Sequence, residues 1–236
     1  MTSHPVRTFR FLIAVLAFGL AGSAWAESAP AGALSQHTLD KHTAPVLKAL
    51  KLSDSTQVAA VRSAVEAHFQ AVDVWHRRVD SRLDALWADW SKARTPPHQD
   101  ETKAAAIGAK IDAIYGTFQR QHDAFIRQLA AVLPPSGVET VEDALTRTPG
   151  LKRTYDAYLE IVPTLTESEK AHIHATLVVA RDEALDTLSK KEQIALFKKQ
   201  KVKVQEYIQS EGYDWKKSYA AFVARLKAES AARKAH

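Results

Sequence analysis

The feature that most restricts what this chain can become is an apolar register that runs without interruption from Val58 to Trp90. Large apolar side chains recur at Val58, Val61, Val65, Phe69, Val72, Trp75, Val79, Leu83, Leu86 and Trp90, in steps of three and four. That period lays them along one stripe of a helix, and a helix with one apolar stripe needs a partner to cover it. Pro96-Pro97 stops the helix, because proline lacks an amide donor and clashes with the turn before it. A second stripe follows at once, through Ile107, Ile111, Ile114, Phe118, Phe125, Leu129 and Val132. So short a connection predicts an antiparallel helical hairpin over about 54–133.

Glycine and proline are few, eight and nine in 236 residues, and no run of alternating β-branched residues occurs. The expected class is therefore all-α. A short helix is expected from Ser35 to Leu50. Beyond Pro134-Pro135, three Ser/Thr-x-x-Glu signatures mark helix starts: Ser136 with Glu139, Thr166 with Glu169, and Ser189 with Glu192. Thr148-Pro149-Gly150 and Pro163 separate the shorter helices they begin, and Gly212 closes the helix that starts near Ser189. The expected architecture is a long antiparallel hairpin packed with a C-terminal bundle of shorter helices over about 136–233, all one domain over 35–236. There is no cysteine, so stability must come from the core, and thiol chemistry and cysteine-based zinc sites are excluded.

Residues 1–26 have the anatomy of a signal peptide. Arg7 and Arg10 precede an apolar run, Phe11 to Ala21, too short to span a bilayer, and Ala24-Trp25-Ala26 offers a small-x-small cleavage site. Cleavage after Ala26 is expected, with a flexible mature start over 27–34, a periplasmic or secreted location and no later transmembrane segment. Loss of Arg7 and Arg10, with no acid, lowers the formal charge from +5 to +3. Acids and bases alternate along the rest, which argues against a nucleic-acid-binding stripe.

The C-terminal half carries a family likeness. Its residues are Tyr155-Asp156-Ala157-Tyr158-Leu159, Val162-Pro163-Thr164-Leu165-Thr166-Glu167, Ala180-Arg181-Asp182-Glu183-Ala184-Leu185-Asp186, and the stretch from Phe197 to Asp214. The last is the densest, with Lys199, Lys201, Lys203, Tyr207, Gly212, Tyr213 and Asp214 in register; Gln200, Val202 and Gln205-Glu206 depart from the pattern. The chain resembles the bacterial family known as domain of unknown function 3826, more loosely also in the front hairpin around Trp75-His76. The resemblance implies an exported helical protein that accompanies polysaccharide-degradation systems, and it implies no particular reaction.

Two cations stand where the helical pattern wants apolar side chains. Arg181 falls on the stripe of Ile173, Leu177, Ala184 and Leu188, and Lys201 on that of Ile194, Phe197, Val204 and Ile208. Buried charge is costly unless paired, so each is expected to meet a carboxylate, with Asp182, Glu183, Asp186 and Asp214 nearest in sequence. The functional reading is a uronate-type site of Arg181, Lys201, Tyr155, Tyr158, Tyr207, Tyr213 and Asp214, since arginine forks bind carboxylates. The plainer reading is an internal salt-bridge network or stems whose charged heads reach water. His68, His76 and His122, with Asp73 near, form a second cluster suited to zinc or to pH sensing; local hydrogen bonding at the edge of the stripes explains them more simply. His172 and His174, two apart, face different sides. Trp75, Trp87 and Trp90 are expected to pack the hairpin rather than stack on sugars.

No phosphate loop, Gly-x-Ser-x-Gly elbow or His-Glu-x-x-His motif occurs. No metal or organic cofactor is expected. The leading expectation is an exported, non-catalytic accessory protein that binds an acidic oligosaccharide. A periplasmic helical-hairpin chaperone for protein clients comes second, on Leu52-Ser53 and Leu165-Thr166-Glu167, and a polysaccharide lyase or hydrolase third.

Overall fold

The front hairpin has one straight arm and one broken arm. In the computed structural model, which describes residues 33–97, 99–146 and 150–234, the straight arm is the long helix α2 (Ser55–Ala93). The returning arm is α3 (Glu101–Gly116) followed by α4 (Gln119–Ala130). One continuous helix is expected there from periodicity. Instead the Thr117 amide closes on the Ile114 carbonyl three residues back, while the Thr117 hydroxyl donates to the same carbonyl at 2.7 Å. That hydroxyl also accepts the Trp75 indole N–H at 3.0 Å, so α2 stitches the break in place. Ile107, Ile111, Ile114, Phe118, Phe125 and Leu129 are buried all the same.

Before the hairpin lies α1 (Gln36–Leu50), with Ser35 accepting the Thr38 amide at its start and Lys51, at φ 52°, ending it. After it come α5 (Pro135–Leu145), α6 (Gly150–Ile161), α7 (Glu167–Leu185), α8 (Lys190–Ser210) and α9 (Trp215–Lys234). The described residues contain no strand, and the fold is all-α. No described helix is long and apolar enough to cross a membrane. The leader expected over 1–26, and the mature start as far as Gly32, lie outside the described residues, as do Thr148 and Pro149.

The three expected helix starts behave differently. Thr166 and Glu169 form the full reciprocal box at the head of α7. At α8, Ser189 accepts the Glu192 amide, but the Glu192 side chain turns away to Tyr115. At α5 no box forms: the helix begins on Pro135, whose fixed φ suits the first helical position, and this places Ser136 already inside. α8 ends in a Schellman arrangement, with the Gly212 amide on the Gln209 carbonyl, the Tyr213 amide on Ile208, and Gly212 at φ 90°.

Three apolar clusters hold these helices. The first joins the far half of α2 to α3 around Trp75, Leu83, Trp90, Ile111 and Phe118. The second joins α1, the near half of α2, α4 and α5 around Val61, Phe69, Phe125 and Val141. The third joins α6, α7 and α8 around Tyr158, Ile173, Leu177, Val204 and Ile208, with Tyr155, Tyr207, Tyr213 and Trp215 packed on it. Polar residues collect where the hairpin meets α7 and α8.

Candidate functional site

The last turn and C-cap of α7 carry Asp182, Glu183 and Asp186; Asp186 follows the first two by four and three residues, which brings it onto their side of the helix. That face looks at the broken arm of the hairpin. Glu183 is buried and takes the Lys199 ammonium at 2.9 and 3.1 Å on its two oxygens, with the Gln200 amide at 3.3 Å. Lys199, only 2 % exposed, also bonds Asp112 of α3, whose second oxygen takes Lys203 of α8 at 2.8 Å. One carboxylate of α3 is thus tied to α8 by two lysines, and one of these continues to α7. A lysine this deep persists only because two carboxylates compensate for its lost hydration.

Asp186, at the α7 C-cap, is met by three buried histidines. His68 Nε2 donates to the Leu185 carbonyl at 3.1 Å and lies 3.6 Å from Asp186 Oδ1. His76 Nε2 donates to the Asp186 carbonyl at 2.9 Å, and its Nδ1 faces Asp80 at 2.5 Å. His122 Nδ1 donates to Asp186 Oδ1 at 3.1 Å. The final carbonyls of a helix have no partner within it, and here two side chains of α2 supply the donors. The ring nitrogens of His68 and His76 that reach α7 are thereby engaged with carbonyls rather than a common centre. No group of three histidine or carboxylate side chains among the described residues is arranged to hold a metal ion.

Between these groups opens a pocket of about 300 Å³. Its walls are Asp112, Tyr115 and Gly116 of α3, Gln119 and His122 of α4, Val179, Asp182, Glu183 and Asp186 of α7, and Lys203 of α8. The Tyr115 hydroxyl donates to Glu192 at 2.6 Å, which fixes the ring in the wall. Asp182 approaches Arg181 Nε at 3.6 Å. Every carboxylate in the pocket therefore has a basic neighbour: Asp112 and Glu183 have lysines, Asp182 has Arg181, which it shares with Glu142, and Asp186 has the His122 imidazole.

Burial sets the proton affinities. It raises Asp186 to about 6, against the hydrogen bond and charge of His122, and raises Glu183 to about 6, against Lys199. Burial alone would lower His122, but the hydrogen bond and charge of Asp186 outweigh it, and its pKa rises. The two partners thus shift the same way, and the proton they share belongs to the pair. His68, stacked on Phe125 at 4.1 Å between ring centres, is lowered to about 4 by burial. Perturbed groups gathered in a cleft are a physical mark of a working site.

The stretch from α1 to α9 that builds this pocket is also what the family comparison covers: the profile described as "Protein of unknown function (DUF3826)" matches residues 36–228. The chain belongs to that family. No curated protein matches the sequence. Two of the stretches that carry the resemblance in this DUF3826 protein, Asp182 to Asp186 and the middle of α8 at Lys203, both line the pocket.

The residues singled out by pattern divide between two places. Arg181 pairs with Glu142 of α5 at 2.9 Å, a partner distant in sequence. Lys201 is half-buried on another side of the bundle, beside Arg153; burial and that neighbour lower its pKa. No carboxylate among the described residues pairs with it. The stripe that placed it is rotated by one residue: Ile194 is 52 % exposed, and the buried line runs through Gln193, Leu196, Gln200, Val204 and Ile208, with Lys199 beside it. The tyrosines join the C-terminal layer. Tyr158 donates to the Lys201 carbonyl at 3.2 Å, Tyr155 lies edge-on to His174, Tyr207 stacks on His172, and Tyr213 donates to Glu169 at 2.9 Å. Asp214 accepts the Lys217 amide at the start of α9. Arg181 and Lys201 do not meet. The three histidines do, through contacts across the fold rather than locally, while Asp73 pairs with Arg77. As site residues, pattern reading passed over Asp112, Tyr115 and Glu142, and it gave Glu192 only as a capping acid and Lys199 only within the family likeness; Leu196, taken as the anchor of the α8 stripe, would have pointed to Lys199.

Proposed function

We propose that this chain is an exported accessory protein that binds a neutral, polyhydroxylated ligand, a sugar unit of a polysaccharide, in the pocket between α3, α4, α7 and α8. The observation that carries the reading is the pairing of charge. Four carboxylates line the pocket, and each already has a basic side chain beside it. Such a site leaves little unpaired charge for a free ion, but it presents acceptors, and donors at Gln119 and Lys203, to groups that both donate and accept. Hydroxyls are such groups, and Tyr115 and Val179 supply apolar wall for a ring. A uronate fits less well, because it would bring a further negative charge among four. Export is supported by the Arg7 and Arg10 leader with its short apolar run, and the link to polysaccharides by the family resemblance.

Thermal melting of the mature protein against neutral sugars, uronates and amino sugars tests the reading. A ligand that binds only the folded state stabilises it by about 2.7 kcal/mol at a hundred times its Kd. Neutral sugars are expected to raise the melting temperature, and Gln119→Ala and Asp182→Asn to abolish the rise. Stabilisation by uronates alone, or a rise indifferent to both substitutions, sinks the proposal. No rise with any sugar, together with suppressed aggregation of an unfolded client, transfers the function to the chaperone reading.

One observation favours a second reading. His122 lines the pocket with its Nδ1 held by Asp186, and no described residue hydrogen-bonds its Nε2. An imidazole oriented by a carboxylate is the arrangement of a proton-transfer group. Turnover of a polysaccharide substrate that disappears in His122→Gln, with binding retained, would establish an enzyme; retained turnover would discard it.

A further inference from the structure

We infer that the site continues beyond the pocket as a groove along α3, so that its ligand is a linear chain of at least two sugar units. The inference rests on the hydroxyl-binding reading above. On the far side of the Asp112–Lys203 bridge lies a second cavity of about 140 Å³, and the two cavities share Asp112 and Lys203. α3 walls both. From Ala104 to Gly116 the lining residues follow one face of that helix, about 18 Å of it at 1.5 Å per residue, a length that serves a chain rather than a single ring.

The second lobe complements the first. Trp90, Ala104, Gly108 and Val202 give it an apolar floor, and Arg94, paired with Glu101, and Glu206 stand among its walls. A sugar ring has the same division, carbon–hydrogen faces and a hydroxyl rim. Depth comes from Gly108: a Cβ there would stand 3.8 Å from Trp90 Nε1 and 4.0 Å from the Lys199 Cδ, so its absence opens the floor between α3 and α8. Two lysines of α8 reach Asp112 between the lobes: Lys199 lies buried beneath it, and Lys203, 46 % exposed, crosses at the surface. An exposed ion pair is weak, so a ligand lying across both lobes can displace Lys203 at little cost.

Titration of the protein with mono-, di- and tetrasaccharides of glucose, xylose, mannose, galactose and arabinose, followed calorimetrically, tests this. For the sugar that binds, affinity is expected to rise about tenfold from one unit to the longer chains. Ala109→Trp, at an exposed position of the second lobe, is expected to remove that gain and to leave the monosaccharide affinity within about twofold. An affinity independent of chain length overturns the groove while leaving the pocket reading intact. So does an Ala109→Trp variant that weakens one unit and four equally, or an alkyl glycoside that gains as much as the tetrasaccharide. No binding at any length overturns both.

Discussion

The junction between hairpin and α7 and the aromatic layer of α6, α8 and α9 are both rich in polar side chains, yet they use them in opposite ways. In the layer each tyrosine is held by a nearby group: Tyr158 by a backbone carbonyl of α8, Tyr213 by the capping Glu169 and Tyr207 by the ring of His172, both at the start of α7. At the junction the histidine bonds run from the front hairpin to α7, and His122, Glu183 and Asp186 also face open space. A cluster of aromatic and basic residues in sequence is thus a packing module here, and the candidate site is the seam where separate modules meet.

The largest expected difference between the two regions lies between two lysines on one helix. Lys199→Met leaves Glu183 and Asp112 without their shared cation and is expected to cost about 3–5 kcal/mol of unfolding free energy. Lys201→Met, half-buried and without such partners, is expected to change it by less than about 0.5 kcal/mol. Urea denaturation of both variants decides; equal losses would dissolve the distinction between junction and layer.

The next effect is one of pH. The unfolded chain protonates His68 near 6.5, but the folded protein only near 4, so between those values the unfolded state binds the extra proton. Stability from neutral His68 is therefore present above about pH 6.5 and is lost as pH falls towards 4. Asp186 and Glu183, raised to about 6, act in the opposite sense, since the folded state takes their protons first. His68→Gln keeps a donor for Leu185 and removes the titration. Relative to this variant, the unsubstituted protein is expected to lose about 2.5 kcal/mol between pH 7 and about pH 4.5. Parallel stability curves would show that His68 titrates in the fold as it does in water.

The smallest contrast is between two tyrosines. Tyr115→Phe deprives the largely buried Glu192 of a 2.6 Å donor and is expected to cost about 2 kcal/mol. Tyr158→Phe loses one bond to a carbonyl and is expected to cost about 1 kcal/mol. Denaturant midpoints that rank them the other way would make the layer the more strained region.

Helix content and most helix ends were legible because they depend on local chemistry: the α2 stripe, the Thr166 box, Gly212. The break at Thr117 was not, because it depends on the Trp75 indole, delivered from another helix. The site was half legible. His68, His76 and His122 were visible as a group since one hairpin carries them, but their target, Asp186, arrives from beyond α6. Lys199 was hidden by a one-residue error in the α8 register, which rotates every side chain by about 100°. Glu192 looked like an ordinary capping residue, and only a tyrosine from α3 reveals its other use.

The histidine contacts on α7 bridge 117, 110 and 64 positions of chain. Contacts of such span form late, because the intervening loop must close before they yield anything. The front hairpin can zip up from neighbouring residues, but the pocket exists only after α7 has threaded back against it. A molecule caught before that return keeps much of its helix and has no pocket. Formation of the pocket is therefore a readout of complete assembly, where helix content is not.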